Sequence, residues 1–338
     1  MKKCALNNID ALFAAMAKNA TLYIPADTKE GRAEYTEWKE GVKLSDALNT
    51  AKSPKDFFFP QSEDIMAFKT EGKKIEIIDV RRESEDFILF GVKACDVKSL
   101  EVLDKVFLSD TEDSYYATKR EHATIISMVC ARPSETCFCT AFGIDCTAPG
   151  GDVVCTKTED GFCFEALTEK GERLLSSLEL EDTDASAADA AKAKTREIMK
   201  KLPLAGLSSD AFGAGKTDKY FDDPKWKELS ESCLGCGTCT FVCPTCQCYD
   251  IKDFNTGKGV IRFRCWDSCM YSEFTKMSAG QPRLTQKERF RQRFMHKLVY
   301  FPERYGMFSC VGCGRCLSKC PISMNIVKVM KAIGGEEK

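Results

Sequence analysis

Histidine is nearly absent from this chain of 338 residues: there are two, His122 and His296. That excludes metal chemistry built on several imidazoles and makes any metal site here all-thiolate. Excess charge is missing too. Lys plus Arg is 49 against 51 Asp plus Glu, a formal net charge of −2, which argues against nucleic-acid binding because that normally shows as a basic surplus. No apolar run approaches the ~18 residues needed to span a bilayer, so no membrane partner is expected. No G-x-G-x-x-G follows a strand, so no flavin or nucleotide is expected on this chain. The stretch Gly213-Ala214-Gly215-Lys216-Thr217 lacks a preceding strand and has Asp210 where a phosphate loop needs its first glycine.

What the chain does have is cysteine, 20 of them. Disulfide-dense proteins are mostly small secreted domains that cannot build a core, and this chain is neither small nor poor in apolar residues. Its start, Met1 to Asn8, lacks the apolar stretch of a signal peptide. Ile9, Leu12, Phe13 and Met16 fall on one helical face instead. A cytoplasmic setting follows, where thiols stay reduced and clustered cysteines bind metal.

The cysteines divide the chain. None lies between Cys4 and Cys95, or between Cys163 and Cys233. Residues 1–180 read as an α/β domain with a mixed sheet. Its strands are predicted at Ile75–Val80, Phe87–Phe90 and Thr124–Val129, and as a hairpin joining Val153–Cys155 to Phe162–Cys163–Phe164 across an Asp160-Gly161 turn. A helical period runs from Val97 to Leu108. Residues 181–228 read as a helix, Ala187–Lys201, and a linker, Leu204–Asp223. Residues 229–338 read as an α-helical, ferredoxin-like domain for two clusters, with a long insertion at 247–305.

The chemistry sits in the cysteine spacing. Cys233, Cys236, Cys239 and Cys243 with Pro244 match C-x2-C-x2-C-x3-C-P, and Cys310, Cys313, Cys316 and Cys320 with Pro321 match it again. In this pattern three thiolates of a tight loop hold one 4Fe–4S cube, and the fourth reaches the other cube. One cluster is therefore expected on Cys233, Cys236, Cys239 and Cys320, and a second on Cys310, Cys313, Cys316 and Cys243. Gly235, Gly237, Gly312 and Gly314 let backbone amides approach the sulfurs.

Two further groups are weaker signals. Cys95 and Cys130 follow predicted strands, and Cys137 and Cys139 come shortly after. If those strands are parallel, all four emerge on one edge of the sheet, where functional sites gather. A third 4Fe–4S cluster is the expectation there, with Cys146 the first substitute for any of the four. The insertion carries Cys246, Cys248, Cys265 and Cys269 beside the first run. These are either a further all-sulfur site or small buried hydrophobes. Cys155 and Cys163 lie in strand segments and read as packing residues. A basic stretch, Lys287 to Lys297, carries Phe290, Phe294 and Leu298 on one face, and reads as a solvated amphipathic helix or a docking surface for an acidic partner.

The succession Gly91-Val92-Lys93-Ala94-Cys95-Asp96, Thr136-Cys137-Phe138-Cys139, Cys233 to Cys248, Trp266-Asp267-Ser268-Cys269 and the final run resembles one family. It is similar to the iron–sulfur electron-transfer component shared by soluble sulfhydrogenases, where it is the beta subunit, and anaerobic sulfite reductases. Cys265 is a departure, since the family does not require cysteine before the Trp266-Asp267-Ser268-Cys269 motif. The resemblance implies a cytoplasmic, multi-subunit oxidoreductase. In it this chain relays electrons between a catalytic subunit and a flavoprotein NAD(P)H-binding subunit. That catalytic subunit could be a hydrogenase, a sulfite reductase or part of an electron-bifurcating complex. No catalytic residue is expected on this chain itself. The competing readings are a catalyst with an open-site cluster in the N-terminal domain, and an iron–sulfur redox sensor.

Overall fold

The computed structural model describes residues 1–81, 84–257 and 259–335. Among them are twelve strands: β1 (Lys2–Ala5), β2 (Thr21–Asp27), β3 (Ala33–Glu37), β4 (Ser62–Glu71), β5 (Lys74–Asp79), β6 (Phe87–Val92), β7 (Ala123–Met128), β8 (Val153–Lys157), β9 (Gly161–Ala166), β10 (Glu181–Asp182), β11 (Tyr249–Asn255) and β12 (Val260–Trp266). Eight of them form one sheet in the order β10-β1-β9-β8-β7-β6-β2-β3, and four form another in the order β11-β12-β4-β5. The centre of the large sheet, β2-β6-β7-β8, is parallel, and its flanks are antiparallel. It is the mixed sheet that the alternation of strand and helix signals suggests.

The near-continuous apolar run of β6 suits a parallel strand covered on both faces. Ile88 and Phe90 pack with Leu12, Phe13 and Met16 of the helix Ile9–Met16. Leu89 and Val92 pack on the other side with Leu100, Leu103 and Phe107 of the helix Ala94–Phe107. Simple alternation would put Phe90 and Val92 on the same face. Gly91, at φ +82°, breaks it: the register with β7 shifts between Phe90 and Val92, so the strand leaves the sheet with its faces exchanged. The helix bearing Cys95 and Asp96 starts two residues later.

The hairpin β8–β9 forms, but its turn is not at Asp160-Gly161. Gly161 already pairs in β9, opposite Ala5, and Thr158 N–H donates to its carbonyl at 2.8 Å. Glycine is needed there for a different reason: a Cβ would lie 2.4 Å from the Cys4 carbonyl oxygen of β1. Cys155 and Cys163 are fully buried in this hairpin.

The small sheet joins distant parts of the chain. β4 and β5 come from the first eighty residues, while β11 and β12 form a hairpin within the insertion and pair antiparallel with β4. The predicted strand at Ile75–Val80 is thus β5, at a sheet edge, with Ile75 and Ile77 about two-thirds exposed (68% and 67%). Arg264 of β12, 4% exposed, fastens the join by donating to Glu63 at 2.8 Å and pairing with Asp113.

The stretch Leu204–Asp223 is not a free linker. Leu207, Phe212 and Tyr220 are buried in one core with Trp226, Phe290, Phe294, Leu298 and Met330. Lys216 folds back to donate to the carbonyls of Asp210 and Phe212. The helix Gln286–Met295 opens with a capping box, Thr285 with Glu288, and continues through 300 into Phe301–Tyr305. No described helix is long and apolar enough to cross a membrane.

Candidate metal centre

The two cysteine runs fold alike because the same glycines recur. Gly237 at φ +71° begins the short helix Thr238–Phe241, and Gly314 at φ +77° begins Arg315–Lys319. The left-handed turn in each run lets the first two cysteines wrap tightly before the helix that carries the third, Cys239 or Cys316. Gly235 N–H donates to Cys233 Sγ at 3.5 Å. Cys320 is an electrostatic neighbour of Cys233, and Cys243 is one of Cys310, Cys313 and Cys316 as well as of Cys239 in its own run. Burial pushes the Cys310 thiol up to about 12 and that of Cys313 to about 11. Hydrogen bonding with Thr238 lowers the thiol of Cys236, which is exposed.

The N-terminal cysteines also converge. β6 and β7 are parallel, and Cys95 and Cys130 emerge at their carboxyl ends. With Cys137, Cys139 and Cys146 they line one small cavity, closed on another side by Gly312 and Cys313. Cys146 thus stands with the other four rather than in reserve. Hydrogen bonding with Cys146, then burial, raises the Cys130 thiol well above its ordinary value. Burial raises Cys139 to about 12, with Cys130 and Cys137 adding to it. The loop bearing Cys137 and Cys139 is held by Phe138 N–H, which donates to the Gly312 carbonyl at 3.0 Å. The cavity therefore adjoins the second run, with Cys313 common to both.

In the insertion the structure brings together three of the four cysteines. Cys246 meets Cys243, and Cys248 meets Cys269. Contact with Cys246 pulls the Cys243 thiol down, and contact with Cys248 takes Cys269 down to about 6. Cys265 stands apart. Alternation on β12 turns it away from the face of Arg264 and Trp266, which packs toward Phe59 and Phe241.

Sequence reading missed the cations around these thiols. Arg293, Lys297 and Lys55 are 4%, 3% and 2% exposed. Arg293 donates to the Cys239 carbonyl at 2.7 Å and approaches Cys246 Sγ at 3.5 Å. Lys297 donates to Thr245 Oγ1 and to the Ser309 carbonyl, both at 2.9 Å. Lys55 donates to the Cys246 carbonyl at 2.9 Å and lies 3.5 Å from the centre of the Trp266 ring. Burial opposes the charge on Lys297, but the thiols of Cys243 and Cys246 outweigh it and lift its pKa above the ordinary lysine value. Burial pulls Lys55 the other way. Two residues of the basic stretch thus point inward, onto the thiols. Others hold the chain's own surface: Arg291 stacks on Phe221 at 3.6 Å, and Arg289 donates to the Met270 carbonyl. Arg293 and Lys297 are thus withdrawn from any docking surface for an acidic partner at 287–297.

The donor set suits iron–sulfur centres. The ligand candidates are thiols on glycine-shaped loops, backed by the buried cations Arg293, Lys297 and Lys55 and by the buried ion pair of Arg315 with Asp96. By fold and site this is an iron–sulfur protein, and residues 232–324 match the 4Fe-4S dicluster domain family. The chain is 35% identical over 296 residues to Sulfhydrogenase 2 subunit beta of Pyrococcus furiosus, covering 85% of this chain and 84% of that one. It belongs to the sulfhydrogenase beta-subunit family. No solved structure matches it.

Proposed function

We propose that this chain is the electron-relay subunit of a multi-subunit cytoplasmic oxidoreductase. It would work between a flavoprotein subunit that handles NAD(P)H and a separate catalytic subunit. The observation that carries the reading is the contiguity of its thiol groups. Cys320 neighbours Cys233, Cys243 neighbours the run at 310–316, and Cys313 of that run also closes the N-terminal cavity. Iron–sulfur cubes bound there supply one-electron steps, which suit passage between a two-electron flavin and a distant acceptor. Cys233, Cys236, Cys239 and Cys320 would hold one cube, and Cys310, Cys313, Cys316 and Cys243 the second. Cys95, Cys130, Cys137 and Cys139 would hold a third, with Cys146 beside them as the alternative fourth ligand. The protein's part is to exclude water from the inner sites, fix the thiols and set the local field.

Anaerobic purification with its natural partners tests this. About twelve irons per chain, four for each cube, with a flavoprotein and a catalytic subunit in the same complex, is the expected result. About eight irons would remove the third centre, and zinc without acid-labile sulfide would overturn the reading. The crossed ligands give a second prediction. Cys320→Ser is expected to perturb the centre nucleated at Cys233, seen as a changed electron paramagnetic resonance signal for one centre with the other retained. Damage confined to the Cys310 centre would overturn the crossing.

A further inference from the structure

Lys297 and Arg293 are buried cations on adjacent turns of one helix, and no carboxylate partner for either appears among the described residues. Desolvating a cation costs several kcal/mol unless an opposite charge or hydrogen bonds replace the water. Arg293 Nε has no hydrogen-bond partner at all. Both lie among the cysteine loops, and unequally. Arg293 donates to the Cys239 carbonyl of the first run at 2.7 Å and approaches Cys246 Sγ at 3.5 Å. Lys297 donates to the carbonyl of Ser309, the residue before Cys310, and to Thr245 Oγ1, which lies 3.2 Å from Cys243 Sγ. The third cation of the second run, Arg315, is neutralised by Asp96 at 2.6 Å.

The geometry points to a graded pair of centres: Lys297 raises the reduction potential of the centre on Cys243, Cys310, Cys313 and Cys316 above that on Cys233, Cys236, Cys239 and Cys320, while Arg293 raises both. This rests on the cluster assignment proposed above. The physical step is short. Reduction adds one negative charge to a thiolate-bound centre, and a fixed cation in a low-dielectric interior favours the more negative state. The hydrogen bonds of Lys297 run to groups beside Cys243 and Cys310, both of the second centre. That makes it the inner electron sink, placed between the exposed Cys236 side and the N-terminal cavity.

Lys297→Met tests it in the full complex by redox titration followed by electron paramagnetic resonance. The variant should fold, because the Ser309 carbonyl keeps a donor in Thr245 Oγ1 at 2.7 Å. One reduction step should move to more negative potential by about 59 mV, a tenfold change for a one-electron couple, while the other stays. Lys297→Arg should leave both steps in place, and Arg293→Met should move both. If Lys297→Met moves neither step, or moves both equally, the grading is wrong. If Lys297→Met proves unstable, Lys297→Gln gives the same readout. Iron and sulfide counts separate the two failures: clusters present with unmoved potentials overturn the grading alone, and absent clusters overturn the relay reading.

Discussion

Asp96→Asn is expected to lower the free energy of unfolding by about 3–5 kcal/mol, measured by anaerobic chemical denaturation. Asp96 follows Cys95 at the start of the helix Ala94–Phe107, and Arg315 lies between Cys313 and Cys316. They form a two-pronged ion pair, Arg315 Nη1 to Asp96 Oδ1 at 2.6 Å and Nη2 to Oδ2 at 2.7 Å. The Arg315 and Asp96 side chains are 4% and 2% exposed. Arg315 Nε also donates to the Thr50 carbonyl at 3.1 Å. Three segments far apart in sequence meet on this guanidinium. The asparagine variant leaves a buried cation with half its partners, and that orphaned charge is what costs so much.

The pair's own net worth is a separate quantity. Replacing both partners with apolar residues, Asp96→Leu with Arg315→Met, is expected to recover most of the loss, because no charge is then left buried. A single substitution that costs under about 1 kcal/mol would mean that the site is wetter than its burial indicates. A double substitution as costly as the single would assign the loss to packing instead of charge.

How much of this was legible in the sequence depended on the range of each interaction. The two dicluster runs are local: their spacing, glycines and following prolines are all written within a dozen residues, so the match to a dicluster domain could be read directly. The meeting of Cys95 with Cys130 required only that β6 and β7 be parallel, and the helix between them makes that connection natural. The place of Cys146 was less legible. Nothing local distinguishes a cysteine that lines a cavity from one that packs a strand, and only the fold puts Cys146 against Cys130 and Cys155 inside the hairpin.

Charge was where local reasoning failed most. In the basic stretch 287–297 every cation reads as solvated, because a lysine or arginine is almost never fully buried unless it is paired. Phe290 and Phe294 correctly mark the inward face, and Arg293 and Lys297 share that buried side. Their partners are the Cys246 thiol, the hydroxyls of Thr240 and Thr245, and backbone carbonyls, brought in by tertiary packing. The small sheet was hidden for a similar reason. β12 pairs with β4 some two hundred positions away, which no window along the chain reveals. Gly161 shows the same limit on a smaller scale: as a turn residue it had a plausible local purpose, and its actual constraint is the Cys4 carbonyl of another strand.

Gly312→Ala is expected to be severely damaging for the addition of a single methyl group. Gly312 has φ +59°, a conformation that costs an ordinary residue about 1 kcal/mol or more. Space is the larger obstacle. An added Cβ would lie 2.4 Å from the Phe138 carbonyl oxygen and 2.5 Å from the Cys139 nitrogen. Both atoms are backbone, so no rotamer change relieves the clash, and the run at 310–316 would be forced off the loop at 137–139. The hydrogen bond from Phe138 N–H to the Gly312 carbonyl would go with it. Gly31→Ala isolates the conformational part, because Gly31 has a similar φ of +72° and nothing within 4 Å of the added carbon. Gly31→Ala should cost about 1 kcal/mol and leave the iron content unchanged. Gly312→Ala should cost more than about 3 kcal/mol and lower the iron bound per chain, because it separates two thiol groups that now share a wall. Equal losses in the two variants would mean that the loops at 137–139 and 310–316 do not pack as described, and the contiguous path through Cys313 would fall with that contact.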